Sequence, residues 1–204
     1  MTSQWISPVI AGRVVAMPDY GDDEAKPAPE PLRRVQAFIN TLDRESARDR
    51  LADAAGNAQW LARHGLLPAG AVLTDADLDT LVAVREGLRA LVIHNSGGPA
   101  PDARALEPLH RLTASAPARV EVGGAGDVRV APVGSSVSDR LLGLLLAVKD
   151  AQCDGSWAHL KACANEDCRW VFYDRSRNHG GTWCDMATCG NKLKNRDFRA
   201  RRRS

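Results

Sequence analysis

Four cysteines near the C-terminal end fall into two equally spaced pairs, Cys163-x4-Cys168 and Cys184-x4-Cys189, with fifteen residues between the pairs. Thiolates a few residues apart can reach one tetrahedral ion from a single turn of chain. Two such pairs complete a four-cysteine structural zinc site. Such a site has no open coordination position, so the chemistry it implies is folding and not catalysis. Three other readings compete: disulfides, a thiol redox switch, and four unrelated buried thiols. The count of cysteines is odd, because Cys153 stands outside the pattern, and this argues against a disulfide framework. A zinc site could itself release its ion on oxidation. One zinc ion is the preferred reading. His179 could replace a cysteine, but it sits between Asn178 and two glycines and reads as a surface-loop residue.

Directly after the last cysteine the chain turns basic, with Lys192, Lys194, Arg196, Arg199, Arg201, Arg202 and Arg203. Lys192, Arg196, Arg199 and Arg203 follow steps of four, three and four, so a helix would set them on one face. A metal-pinned knuckle feeding a cationic stripe suits the phosphates of DNA. Arg169, Arg175 and Arg177 lie between the cysteine pairs and are further candidates for phosphate contact. The alternatives are a disordered solubilising tail and arginines that only balance a tetrathiolate charge. Trp170, Phe172 and Trp183 read as the small core of this unit, since some 40 residues hold little apolar material beside the metal. Stacking on bases is the rival role for these rings.

The runs CANEDCRWVFYDRSRN and WCDMATCGN, with the basic tail, resemble the CGNR zinc-finger family of bacterial proteins. One position departs from the motif, whose final arginine is Lys192 here. The charge survives, but the planar bidentate fork does not.

What positions these residues is a chain of 204 residues with ordinary apolar (44%) and charged (25%) content for a globular protein. The net charge of +2 is uneven. From Cys163 onward ten Lys/Arg stand against five Asp/Glu, a local +5 that leaves the rest at −3. That pattern suggests a local polyanion contact. The start, MTSQWISPVIAGRVV, has neither a basic lead nor a long apolar core, and no apolar run approaches the length of a bilayer span. A cytoplasmic protein is expected, with no membrane contact.

Apolar periodicity predicts helices over Leu32 to Asp43, Leu51 to His64, Thr74 to Asn95, Pro101 to Ser115 and Ser136 to Asp150. Thr74 with Asp77 has the form of a capping box. Leu78, Leu81, Val82, Leu88, Leu91 and Val92 supply the face of the third helix. The fifth is apolar almost all round and should be the central buried element. Val120/Val122 and Val128/Val130 alternate around Gly123-Gly124-Ala125-Gly126, a hairpin signal. A strand is expected within Val9 to Met17, a proline-rich mobile loop over Pro18 to Pro31, and a short helix over Trp157 to Ala162.

FINTLD at 38–43, AQWLARHGLLP at 58–68 and VREGLRALV at 84–92 resemble the ABATE domain, which precedes this zinc finger in the same family. The resemblance implies a helical ligand-sensing domain in a stress-linked transcription regulator. The expected fold is mainly α with a small β-hairpin region. A helical domain over 1–155 precedes a treble-clef or zinc-ribbon-like finger over 156–204. The expected function is DNA-binding regulation, with an unknown small ligand or protein partner for the helical domain. A protein–protein adaptor and a thiol redox sensor are the rivals. No GxSxG, HExxH, phosphate-binding loop or dinucleotide fingerprint is present, so no enzyme is expected. His64, His94 and His110 read as surface or capping residues, Trp60 as core, and Cys153 as a small buried hydrophobe.

Overall fold

The computed structural model describes residues 24–68 and 70–192. The expected strand within Val9 to Met17 and the tail cations Lys194, Arg196, Arg199, Arg201, Arg202 and Arg203 lie outside these residues. The order of elements is α1 (Leu32–Ile39), β1 (Leu42–Asp43), β2 (Arg48–Asp49), α2 (Ala58–Arg63), α3 (Asp75–Asn95), α4 (Ala103–Ser115), β3 (Ala118–Val122), β4 (Val128–Pro132), α5 (Val137–Asp154), β5 (Leu160–Ala162) and β6 (Val171–Tyr173). Among the described residues the fold is mainly helical, with three two-stranded antiparallel sheets and a four-cysteine finger toward the C-terminal end.

The helix starts are written in side chains. Thr74 and Asp77 form the expected capping box on α3, and Ser136 with Asp139 forms a second one on α5. Asp102 caps α4 by accepting from the Ala105 N–H. Helix α5 is the packing centre, burying Leu141, Leu142, Leu144, Ala147, Val148 and Ala151. Around it gather Val35, Phe38 and Ile39 of α1, Leu81, Leu88 and Val92 of α3, and Leu109 and Leu112 of α4.

Several expectations change, among them the end of the first helix, which stops at Ile39 while Leu42–Asp43 form β1. The second helix begins only at Ala58, because Asp53 and Asn57 satisfy the preceding backbone locally: Asp53 Oδ1 accepts from the Gly56 N–H at 3.1 Å, and Asn57 Nδ2 donates to the Asp53 carbonyl at 2.8 Å. The buried face of α3 is rotated from the expected stripe. Val82 is exposed, while Arg85 and Arg89 lie inside at 2% exposure each. The stretch Trp157 to Ala162 is a 3-10 turn over Ser156–His159 followed by strand β5, since Leu160 and Ala162 alternate inward against β6. Cys153 is exposed on the last turn of α5. The described part of the proline-rich loop is held down: the Lys26 carbonyl accepts from the Tyr173 N–H at 2.9 Å, and Lys26 Nζ donates to the Trp183 carbonyl at 2.9 Å.

Helices and finger share a core. Trp157, Leu160, Ala162 and Val171 belong to the same apolar cluster as the helices. The β5–β6 hairpin also has both outer edges satisfied by helix side chains. On the β5 side, Asn95 Nδ2 donates to the Leu160 carbonyl and Ser96 Oγ accepts from the Ala162 N–H, each at 2.7 Å. On the β6 side, Asn40 holds Val171. Arg89 Nη2 donates to the Ile39 carbonyl at 2.7 Å and Nη1 to the Arg169 carbonyl at 3.3 Å. Its charge is answered by Glu86, whose two oxygens take Arg85 and Arg89 at 2.8 and 2.9 Å. Burial pushes the Arg89 pKa down, and Glu86 acts against that shift.

Candidate metal centre

The first pair of cysteines sits on the turn between β5 and β6. Cys163 follows β5 directly, and its N–H donates to the Trp170 carbonyl at 2.9 Å. The carbonyl of Asn165 accepts from the N–H groups of Cys168 and Arg169, at 3.0 and 2.9 Å. That tight knuckle needs Arg169 at φ +50, a left-handed conformation that a non-glycine residue adopts at a cost. The second pair is set by a short π-helical turn, Met186–Gly190. Asp185 starts the turn, accepting from the Ala187 N–H at 2.9 Å, and its own carbonyl accepts from the Gly190 N–H at 3.1 Å. Gly190 is set close to its neighbours: a Cβ there would meet the Sδ of Met186 and lie 3.2 Å from Cδ1 of Trp183, so a side chain would have to shift. The hairpin knuckle and the helical turn each give two cysteines to the finger.

The four Sγ atoms of Cys163, Cys168, Cys184 and Cys189 all lie within 4.8 Å of one another. Cys168 to Cys184 and Cys184 to Cys189 are each 3.7 Å. A tetrahedral zinc with Zn–S bonds of about 2.3 Å requires sulfur–sulfur edges of about 3.8 Å, so the spacing fits that ion. The electrostatics agree. Hydrogen bonds from Cys168 and Cys184 drive the Cys163 thiol down, while those same contacts drive Cys168 and Cys184 up. Thiols this close compete for one negative charge, and a dication lets all four be thiolate. The cofactor that fits is one structural zinc. Asn165 Nδ2 approaches the Cys189 sulfur at 3.8 Å, a second contact holding a ligand in place.

Around the centre, Trp170 and Trp183 pack on the cysteines, and Phe172 is buried, so the rings form the small core expected of them. His179 is not among the four-sulfur group. It stacks on His159 at 3.9 Å, in the loop tied down by Asp174. Asp174 accepts from Lys161 Nζ at 2.9 Å and from the N–H groups of Ser176 and Gly181 at 3.0 and 2.7 Å. Burial raises its pKa, but these donors together hold the carboxyl well below the usual carboxylate range.

The structure places four of the candidate phosphate contacts. Arg169 is half-buried and turned to Glu166 and the Cys163 carbonyl, at 3.3 and 3.5 Å. Arg175 is exposed and donates to the Pro27 carbonyl at 2.9 Å. Arg177 is exposed with no ion-pair partner among the described residues. Lys192 is exposed and paired with Glu45 on the β1–β2 turn, which raises its pKa. Sequence reasoning missed Gln36, Asn40, Asn165 and Asp185, which orient the finger. Only Asp185, an acid ahead of a helical turn, carries a local signal.

Among the described residues no helix is long and apolar enough to cross a membrane. None of the curated proteins matches the chain. The CGNR zinc-finger family model matches residues 159–202. The ABATE family model, described as "Putative stress-induced transcription regulator", matches residues 32–152. Neither is a family of enzymes. With more than half of its length under that model and the four-sulfur centre following it, the chain belongs to the ABATE family and ends in a CGNR zinc finger.

Proposed function

We propose that this protein is a DNA-binding transcription regulator of the cytoplasm. The zinc-pinned finger, within 156–204, contacts DNA phosphates, and the helical part, 1–155, responds to a small ligand or a protein partner. The observation that carries the reading is the exit of the chain from the metal centre. Cys189 is buried at 1% exposure, and three residues later Lys192 is in solvent at the head of the basic segment 192–203. The metal therefore fixes where that segment begins, on the same side chains that hold the finger. Arg175 and Arg177 add exposed cations from the loop between the cysteine pairs. Contacts of this kind neutralise phosphates and carry little sequence information.

For the helical part, the supporting feature is a cleft of about 310 Å³ between α3 and α4. Val84 and Leu112 line its apolar side, and Asp79, Thr80, Arg111 and Ser138 its polar side. A few polar groups around an apolar wall is the usual make-up of a small-molecule site.

The test is selection of bound sequences from a random DNA pool by the full-length, zinc-loaded protein, followed by affinity against salt. A log–log slope of several units supports the reading. Absence of binding at low salt overturns it and leaves the adaptor role, with the finger docking on an acidic protein.

A further inference from the structure

The β5–β6 hairpin has both edges closed by helix side chains, whereas the β3–β4 hairpin has not. Its register pairs Ala118 with Pro132, Val120 with Val130 and Val122 with Val128. The Gly123 N–H donates to the Asp127 carbonyl and the Val133 N–H to the Pro117 carbonyl, so the hydrogen-bonded pairs fall at the odd-numbered positions of β3. The N–H and C=O groups of Ala118, Val120 and Val122 therefore point away from β4. No hydrogen bond reaches them among the described residues. The four valines share one face and are 69%, 72%, 68% and 42% exposed at 120, 122, 128 and 130. Strand β4 lies along α5, with Ala131 and Pro132 half-buried, and Pro132 has no N–H to offer an incoming strand.

An open five-residue edge with valine at alternate positions is a template for another strand, and native proteins usually guard such edges with charge, proline, bulges or a covering element. Here the edge carries opposite signs two residues apart, Arg119 and Glu121, centred on Val120. We propose that β3 pairs antiparallel with β3 of a second copy of this chain, about a two-fold axis at Val120, giving a four-stranded sheet across the dimer. The occupant follows from charge complementarity. Pairing Val120 with its own copy sets Ala118 against Val122 and Arg119 against Glu121 of the other copy, twice over. Because the outward groups belong to the even positions, Arg119 and Glu121 meet in the closer, non-hydrogen-bonded pairs. Glu121 already holds Arg119 and Arg129 within its own chain, at 2.8 and 2.9 Å. Across the axis it would lie between Arg129 on its own hairpin and Arg119 on the other. Moving the axis to residue 119 or 121, the next registers that the outward groups allow, sets Arg119 against Arg119 or Glu121 against Glu121.

The experiment is sedimentation velocity of the full-length, zinc-loaded protein over a range of concentrations. The parent dimerises with rising concentration. Arg119→Glu sets two glutamates against each other at both close pairs, and Glu121→Arg sets two arginines there; each weakens dimerisation by roughly tenfold or more. An equimolar mixture of the two variants restores the dimer, since a hetero-pair again opposes unlike charges. Loss of folding cannot be repaired by mixing, so the mixture separates the interface from a structural defect. A parent that is monomeric throughout overturns the proposal. So does a dimer indifferent to both substitutions, or a mixture that stays monomeric while each variant keeps the parent's circular dichroism. If the full chain stays monomeric and only a chain lacking residues 1–23 dimerises, the proposal for the full chain is overturned equally.

Discussion

The carboxamide of Asn40 pairs with the backbone of Val171 as a strand would, donating to its carbonyl at 2.8 Å and accepting from its N–H at 2.9 Å. Gln36, one helical turn earlier, donates to the same carbonyl at 3.2 Å. Two side chains from the end of α1 thus finish the outer edge of the finger's hairpin. Glu24 joins them, accepting from Asn40 and from Trp170 Nε1 at 2.8 and 3.0 Å. Burial raises the Glu24 pKa against these hydrogen bonds.

Asn40→Ala is expected to lower stability by about 1–3 kcal/mol, the cost of leaving the buried Val171 N–H without a partner. Urea unfolding of the zinc-loaded protein measures it. A midpoint equal to the parent's would show that the carboxamide is not needed at this junction.

Zinc content should fall in each of Cys163→Ser, Cys168→Ser, Cys184→Ser and Cys189→Ser, and remain at one per chain in Cys153→Ser. The four sulfurs converge, while Cys153 stands exposed on α5. Metal analysis after gel filtration decides the matter. Retention of tight zinc by Cys184→Ser would contradict the tetrahedral set.

Chelation is expected to loosen the finger unevenly. Hydrogen exchange should rise sharply over 176–192, where the metal supplies most of the order. The amides of Ala162 and Val171, held by Ser96 and Asn40, should keep their protection together with α3 and α5. Uniform exchange across 156–192 would mean that the whole finger unfolds as a unit apart from the helices.

Asp174 gives the protein an acid limb. Its folded pKa is depressed, so its contribution is fully present above the ordinary aspartate value of about 4 and is lost as pH falls below it. Asp174→Asn should lower stability at pH 7 by about 1–3 kcal/mol and flatten the decline below pH 4, since Lys161 loses its charged partner and the loop one of its two acceptor oxygens. Denaturant titrations at several pH values read both effects. Parallel curves for parent and variant on the acid side would exclude Asp174 as the source.

Where a signal is local and periodic, the sequence was a good guide. Thr74 and Asp77 announced the start of α3, the glycine run placed the β3–β4 turn, and the cysteine spacing gave the metal centre. What escaped was set by contacts between distant residues. Nothing around Arg85 and Arg89 says that they point inward. Their burial depends on Glu86 beside them, on Thr41 and Asp49 for Arg85, and on the carbonyls of Ile39 and Arg169 for Arg89. The helix expected from Leu51 failed because a continuous apolar stripe cannot reveal that Asp53 and Asn57 compete for the backbone. A three-residue strand such as β5 is too short to show its period.

The sharing of one core by the helices and the β5–β6 hairpin bears on how the protein is made. In chain order α1 to α5, β5 and β6 all precede Cys184 and Cys189, so an emerging chain can fold its helices and hairpin ahead of the second pair. Cys163 and Cys168 would then sit on a folded support when the second pair arrives. The ion then closes a site whose first half is already in place. In a zinc-starved cell, newly made copies would stop one step short, with the helices complete and the basic segment without its anchor.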